Sequence, residues 1–99
     1  MKVRISAPAK QQSRVISRWW RENRPAAPRL FAQEMAEARR LLSPKPDLGT
    51  PYIERGEVLI RRVLLRKTRH HVYYEIDRND GVVMILAVWG TPKGAEPPL

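Results

Sequence analysis

Residues 72–89 read VYYEIDRNDGVVMILAVW, and this stretch decides the fold of the chain. Its two apolar runs, Val72–Ile76 and Val82–Trp89, are rich in the Val, Ile, Leu and Tyr residues that favour strands. Between them Arg78–Gly81 ends in Asp-Gly, a strong signal for a hairpin turn. The second run is apolar at every position, so we predict that it lies centrally in a sheet.

The segments on either side extend this pattern. Val58–Leu65 is a further strand candidate, and Lys67–Arg69 is the expected turn between it and Val72–Ile76. Residues Ser43–Gly56 carry repeated Pro and Gly, so we predict a loop there. From Gly90 onward prolines recur, which indicates a tail, and we expect residues 95–99 to be flexible.

The N-terminal half has helical periodicity after a short strand candidate at Val3–Ile5. Residues Ala9–Asn23 form an amphipathic pattern, Arg24–Pro28 breaks it, and a second helix follows from Pro28 to Leu42. Two helices joined by so short a link form a hairpin. We therefore predict an α+β fold of order β-α-α-β-β-β, with the hairpin packed on a small, mostly antiparallel sheet in one domain, residues 1–94.

The charge balance narrows the class of partner. Nineteen Lys and Arg residues against ten Asp and Glu give a formal net charge of +9. Such a surface attracts nucleic acid, a ribosome or an acidic protein. The absence of cysteine excludes disulfide frameworks, thiolate zinc sites and cysteine nucleophiles. The longest apolar run, Val82–Trp89, is far shorter than the roughly 20 residues of a transmembrane helix, so no membrane role is indicated and we expect a cytoplasmic protein.

The densest basic segment follows the Val58–Leu65 strand. Strand alternation places Arg61 and Lys67 on one face and Arg62 and Arg66 on the other, and Arg69 completes the segment. The segment is either a phosphate- or carboxylate-binding patch or a set of charges that protects a sheet edge.

The two histidines, His70 and His71, are adjacent, so on a strand they point to opposite faces and cannot share one site. No neighbouring ligand completes a metal site. We interpret His71 as structural, while His70 is either a surface residue or a functional one.

The first predicted helix contains two adjacent tryptophans. Trp19 and Trp20 point about 100° apart, so we expect one to pack in the core and the other at its rim. With Arg14 and Arg18 they also form the kind of basic face on which an acidic amphipathic partner docks.

The order of these segments resembles the RelE/ParE family of toxins from type II toxin–antitoxin systems, and its ParE-like branch more closely. The resemblance covers about residues 3–94. It rests on Phe31…Glu34…Ala38…Leu41-Leu42, Pro46-x-x-Gly49, Arg61–Leu65, His70-x-Val72-Tyr73-Tyr74, Val83–Val88 and Trp89-Gly90.

The resemblance implies two helices on a small antiparallel sheet. It also implies a toxin without a cofactor that is neutralised by a cognate antitoxin, whose extended acidic segment wraps it in a hetero-oligomer. On this basis the residues expected to bind the antitoxin are Arg14, Arg18, Trp19, Trp20 and Trp89.

The target stays open between two branches of the family. RelE-like members cut mRNA on the ribosome with basic residues plus a late Tyr or His, whereas ParE-like members poison DNA gyrase. After Trp89 this chain has neither Tyr nor His, which favours gyrase inhibition. The target-binding residues are then Arg61, Arg62, Arg66, Lys67, Arg69 and Lys93. Under the mRNA alternative the chemistry would fall to Arg61, Arg66, Lys67, Arg69 and His70. A basic nucleic-acid-binding module is the third interpretation.

Overall fold

The computed structural model describes residues 1–90 and 96–99. Within these residues one strand precedes two helices, and four more strands follow them. In chain order the elements are β1 (Lys2–Ile5), α1 (Ala7–Asn23), α2 (Leu30–Leu42), β2 (Thr50–Arg55), β3 (Val58–Leu65), β4 (His70–Asp77) and β5 (Val82–Gly90). The predicted α+β architecture is confirmed, with one strand more than expected.

The strands form a five-stranded sheet in the order β1-β5-β4-β3-β2. β1 runs parallel to β5, and the other neighbouring strands are antiparallel. β5 is therefore an interior strand that pairs on both sides, and residues of both of its faces pack in hydrophobic clusters. The predicted hairpin turn at Arg78–Gly81 is also confirmed, and Gly81 takes the positive φ of 66° that such a turn needs.

The two helices cover one face of the sheet. Ser6 caps α1 by accepting a hydrogen bond from the main-chain nitrogen of Ala9 at 3.2 Å. α2 begins at Leu30, two residues later than expected from Pro28. The core between the helices and the sheet contains Ala9, Phe31, Met35, Ala38, Leu42, Leu65, Val72, Tyr74, Val83, Ile85 and Val88. We call the side of the sheet that faces away from the helices the open face.

The prediction of a continuous loop over residues 43–56 is wrong. A 3₁₀ turn occupies Pro46–Leu48, and Thr50–Arg55 is the edge strand β2. Pro51 lacks an N–H and is tolerated because β2 pairs only with β3, at a register shift between Pro51 and Ile53. Most of β2 is exposed, so it lacks the apolar alternation by which strands are recognised.

Part of the predicted tail is described. Leu99 packs on the open face beside Ile60 and Tyr73, and the Arg55 guanidinium donates to the main-chain oxygen of Leu99.

Candidate functional site

β3 carries Arg61 and Arg62 to opposite faces of the sheet, as strand alternation predicts. On the helix-covered face, Arg61 donates to the main-chain oxygen of Gly49 at 2.8 Å and lies 3.6 Å from the Asp47 carboxylate. The Arg61 side chain is only 19% exposed. Arg62 lies on the open face, with its guanidinium carbon 4.8 Å from the centre of the Tyr52 ring. Of the two, Arg62 is the one that lies away from the helices, and it is partly exposed.

Aromatic rings surround Arg62 on the open face. The ring centres of Tyr52 and Tyr73 are 5.0 Å apart, and those of His71 and Tyr73 are 5.9 Å apart. Trp89 lies opposite His71 in the β4–β5 register. We call Tyr52, Arg62, His71 and Tyr73 the open-face cluster. It combines a cation with planar rings, an arrangement suited to phosphates and carboxylates. Tyr73 itself is buried, so the partly exposed members of the cluster are Tyr52, Arg62 and His71.

His71 is the titratable group of this cluster. Burial, together with the positive charges of Arg62 and Arg69, holds its pKa below the ordinary histidine value. At neutral pH His71 is therefore mainly uncharged, with one ring nitrogen able to accept a proton.

The loop between β3 and β4, residues 66–69, forms the predicted turn, and we call it the basic turn. Its residues Arg66, Lys67 and Arg69 are exposed, and Arg69 has a φ of 64°. A side chain of α2 holds the turn: one oxygen of Glu34 accepts from the main-chain nitrogen of Lys67 at 2.9 Å, and the other accepts from Thr68. The turn is thus preformed, and it presents cations to solvent.

The lowered pKa of Glu34 suits its role as the hydrogen-bond acceptor that holds the basic turn. Burial favours its protonated form, but hydrogen bonds from Lys67 and Thr68 and the Lys67 charge hold the pKa of Glu34 below its ordinary value. Glu34 is therefore ionised at neutral pH, where it accepts these bonds most strongly.

Among the residues considered for mRNA cleavage, Arg66, Lys67 and Arg69 lie in the turn next to His70, but Arg61 is distant from His70. His70 lies on the helix-covered face, where its ring centre is 5.3 Å from that of Phe31. In the sheet register His70 pairs with Leu65 and Arg61 pairs with Tyr74, so four residues, roughly 13 Å of strand, separate the two positions. His70 and His71 do point to opposite faces, as predicted.

The residues considered for the antitoxin are divided as well. Trp20 packs against the core, whereas Trp19 is 45% exposed and has the Arg24 guanidinium 4.7 Å from its ring centre. Arg14 and Arg18 line a groove between α1 and α2. Trp89 packs on the open face of the sheet. These five residues therefore belong to several surfaces, and Trp20 is mainly a core residue.

Lys93, the last of the predicted target-binding residues, lies outside the described residues. In residues 1–90 and 96–99, no group of three or more His, Cys, Asp or Glu side chains is placed to hold a metal ion. In the same residues neither helix combines the length and apolar character that a bilayer crossing needs.

Sequence reasoning missed four contributors to the site. Tyr52 fell in the segment expected to be a loop. Tyr73 was treated only as a strand residue and His71 as structural, although alternation from Arg62 across the β3–β4 turn places both on its face. The role of Glu34 depends on a contact between distant parts of the chain, for which the sequence has no local signal.

Comparison with known proteins adds to this geometry. Residues 3–92 match the family model described as the ParE toxin of the type II toxin–antitoxin system parDE. The chain belongs to the ParE toxin family. A search of curated proteins finds no match. Among solved structures, a chain in the crystal structure of the toxin–antitoxin complex RelBE2 from Mycobacterium tuberculosis is similar in fold. Its TM-score is 0.59 at 23% sequence identity, with 88% of this chain and 86% of that chain covered.

In this ParE-family toxin the cations therefore form separate surfaces. Arg62 lies in the open-face cluster, and the basic turn lies at the neighbouring end of β3. The charge of Arg69 in the basic turn contributes, after burial and Arg62, to lowering the pKa of His71 in the open-face cluster. The groove between the helices is a second region, formed by other residues.

Proposed function

We propose that this chain inhibits DNA gyrase by binding it and is neutralised by a cognate antitoxin. The observation that carries the proposal is the match of residues 3–92 to the ParE toxin family. Membership of that family favours a toxin over a basic nucleic-acid-binding module. The proposal places the protein in the cytoplasm, where it meets gyrase.

The surface assigned to the target is the open-face cluster together with the basic turn. Arg62, Arg66, Lys67 and Arg69 supply positive charge for carboxylates of the enzyme or phosphates of the bound DNA. Arg61 acts indirectly, because its guanidinium supports the segment at Gly49. Such a surface inhibits by occupying a site, so no group on the toxin has to transfer a proton.

The antitoxin partner follows from the family, whose members belong to two-component systems. A net charge of +9 favours an acidic partner segment, because opposite charges accelerate encounter. We expect the two proteins to form a hetero-oligomer in which the free toxin surface is covered.

A second candidate function, ribosome-dependent mRNA cleavage, is favoured by one observation. The open-face cluster places an uncharged His71 next to Tyr73, with Arg62 on the same face. His71 could accept a proton from a ribose 2′-hydroxyl, Arg62 could stabilise phosphorane charge, and Tyr52 could stack on a base. On this alternative His71, rather than His70, is the residue to replace.

Gyrase inhibition is tested by titrating the purified protein into a supercoiling reaction. We expect loss of supercoiled product, or trapped cleaved DNA, at stoichiometric amounts of toxin, and rescue when an excess of gyrase is added. Growth arrest on expression without an antitoxin gene should accompany it. Full supercoiling activity in the presence of folded toxin would overturn the proposal.

A further inference from the structure

Ile60 on β3 is buried on the side of the sheet that faces away from the helices. Its exposed fraction is only 2%, whereas Ile53, its partner on the edge strand β2, is 42% exposed. Leu99 packs against the apolar cluster of the open face that contains Ile60 and Tyr73. A residue far from β3 in sequence therefore contributes to the burial of Ile60.

Pro98 and Leu99 line a cavity of about 450 Å³ on this side of the sheet, and we call residues 96–99 the strap. Val58, Ile60 and Leu86 supply apolar lining. Arg55 also lines the cavity, and its guanidinium donates to the main-chain oxygen of Leu99. An apolar side chain and a charge-assisted hydrogen bond thus hold the strap in place.

The position of the strap shows that it does not extend β5. β5 ends at Gly90, which pairs with His70 on β4, whereas Ile60 pairs with Glu75 on the same strand. Five residues separate His70 from Glu75, so the strap lies roughly 17 Å back along the sheet from the end of β5. The strap is therefore a separate contact made against the open face.

The strap shares this face with the surface that we assign to gyrase. Tyr73 belongs to the apolar cluster beside Leu99 and also to the open-face cluster, where its ring contacts those of Tyr52 and His71. Tyr52 packs against the same apolar cluster as Leu99. A protein partner covers about 800 Å² in an ordinary interface. A partner that spreads over the open-face cluster therefore meets the strap and has to displace it.

Few contacts hold the strap, so its release is inexpensive. Leu99 is only partly buried, and Glu96 and Pro98 are exposed. Ordering these residues costs conformational entropy, which opposes the gain from burying one leucine and forming one hydrogen bond. The docked and released forms are therefore close in free energy, which is the condition for a switch.

We propose that the strap is an autoinhibitory contact: when docked it shields part of the target surface, and gyrase binds fully only after its release. The proposal rests on the proposed function, which supplies gyrase as the target. It goes further by giving roles to Arg55, Ile60 and Leu99, which lie outside the assigned target surface. If the strap is docked in about 80% of molecules, its complete release raises the apparent affinity about fivefold.

The first test detects the docked strap without gyrase. The chain contains no cysteine, so Ile60→Cys introduces a single thiol beside Leu99. Its reaction with a maleimide dye should be slow, and adding Leu99→Ser should accelerate it roughly fivefold. Leu48→Ser is the matched control, because Leu48 is an exposed leucine in the groove between α2 and β3, and it should not change the rate.

Circular dichroism and urea unfolding establish that the thiol variants are folded under the labelling conditions. Equal labelling rates with and without Leu99→Ser would overturn the proposal, as would an equal acceleration by Leu48→Ser. Arg55→Ala provides a second route to release, since it removes the donor to Leu99 and leaves the apolar lining intact. It should also accelerate labelling of the Ile60→Cys thiol.

The second test compares inhibition of gyrase supercoiling. Leu99→Ser and Arg55→Ala should each inhibit at about threefold to fivefold lower toxin concentration than wild type. The sign is decisive for Arg55→Ala, because loss of a cation from a basic inhibitor otherwise weakens binding to an anionic surface. Arg29→Ala is the matched control, since it removes an exposed cation beside α2 and should not strengthen inhibition.

The outcomes separate this proposal from the proposed function. Inhibition by wild type that either strap variant fails to strengthen would overturn the autoinhibitory contact and leave gyrase as the target. No inhibition by any variant, with labelling still accelerated by Leu99→Ser, would overturn gyrase as the target and show that the strap docks without that role.

Discussion

The carboxylate of Glu34 on α2 accepts hydrogen bonds from both the main-chain nitrogen and the hydroxyl of Thr68, at 2.9 and 2.7 Å. This pair joins the helical hairpin to the basic turn across 34 residues of sequence. The turn displays exposed cations and includes Arg69 at a positive φ, so an anchored carboxylate fixes a segment that would otherwise be repelled by its own charge. The geometry of the basic turn thus depends on α2.

We expect Glu34→Gln to lower the free energy of unfolding at pH 7 by about 1–2 kcal/mol, because charge-assisted hydrogen bonds to the turn become neutral ones. The pKa of Glu34 is lower in the folded protein than its ordinary value, so its contribution is complete above pH 5. The contribution is lost as the pH falls through about 4 toward the folded pKa.

Urea unfolding at pH 7, 5, 4 and 3 measures this effect. The difference between wild type and Glu34→Gln should shrink across the acidic range. Glu37→Gln serves as the control, because Glu37 pairs with Arg40 on the exposed surface of α2. A difference that does not change with pH would show that the ionised form of Glu34 does not hold the turn.

We expect alanine variants of Arg61 and Arg62 to differ: the first should lower the stability of the fold, and the second should weaken binding to the target. Arg61→Ala removes the donor to Gly49 and one of the cations that pair with Asp47, so we expect a loss of about 1–2 kcal/mol in the free energy of unfolding. Arg62→Ala should leave stability nearly unchanged and weaken gyrase inhibition by roughly fivefold, or about 1 kcal/mol. Paired unfolding curves and inhibition titrations test this, and identical profiles for the two variants would contradict the division of roles.

Gly49 has no room for a side chain. A Cβ at this position would lie 2.7 Å from the main-chain oxygen of Arg62 and 2.7 Å from the hydroxyl of Tyr74. That hydroxyl accepts from the Gly49 nitrogen at 2.8 Å and donates to the main-chain oxygen of Pro46 at 2.7 Å. Gly49→Ala should therefore cost about 1–3 kcal/mol in unfolding free energy. The exposed Thr50→Ala is its control, and a melting temperature unchanged by Gly49→Ala would refute this packing.

The neighbouring tryptophans should respond differently to truncation. Trp20 packs against the core, so Trp20→Ala should lower the free energy of unfolding by roughly 2–4 kcal/mol. Trp19 is exposed and contacts Arg24, so Trp19→Ala should cost about 1 kcal/mol or less. Chemical denaturation distinguishes the two, and a greater loss from Trp19→Ala would reverse the assignment of core and rim.

These residues also show how much the sequence predicts. Local periodicity predicts the β4–β5 hairpin, the helical hairpin and the opposite orientations of Arg61 and Arg62, because periodicity is a property of consecutive residues. β2 was not predicted, because an exposed edge strand that contains Pro51 does not require alternating apolar residues. The open-face cluster was not predicted either, because the contact of Tyr52 with Tyr73 depends on the pairing of β2 with β3 and of β3 with β4.

The central claim is that the toxin acts on gyrase by binding. The most direct measurement divides one purified sample between a gyrase supercoiling reaction and a translation reaction in which mRNA cleavage is mapped by primer extension. We predict inhibited supercoiling, graded weakening by Arg62→Ala, Arg66→Ala and Lys67→Ala, and intact mRNA on the ribosome. The account would be contradicted by undiminished gyrase supercoiling together with mRNA cleavage at defined codon positions that is abolished in the His71→Ala variant.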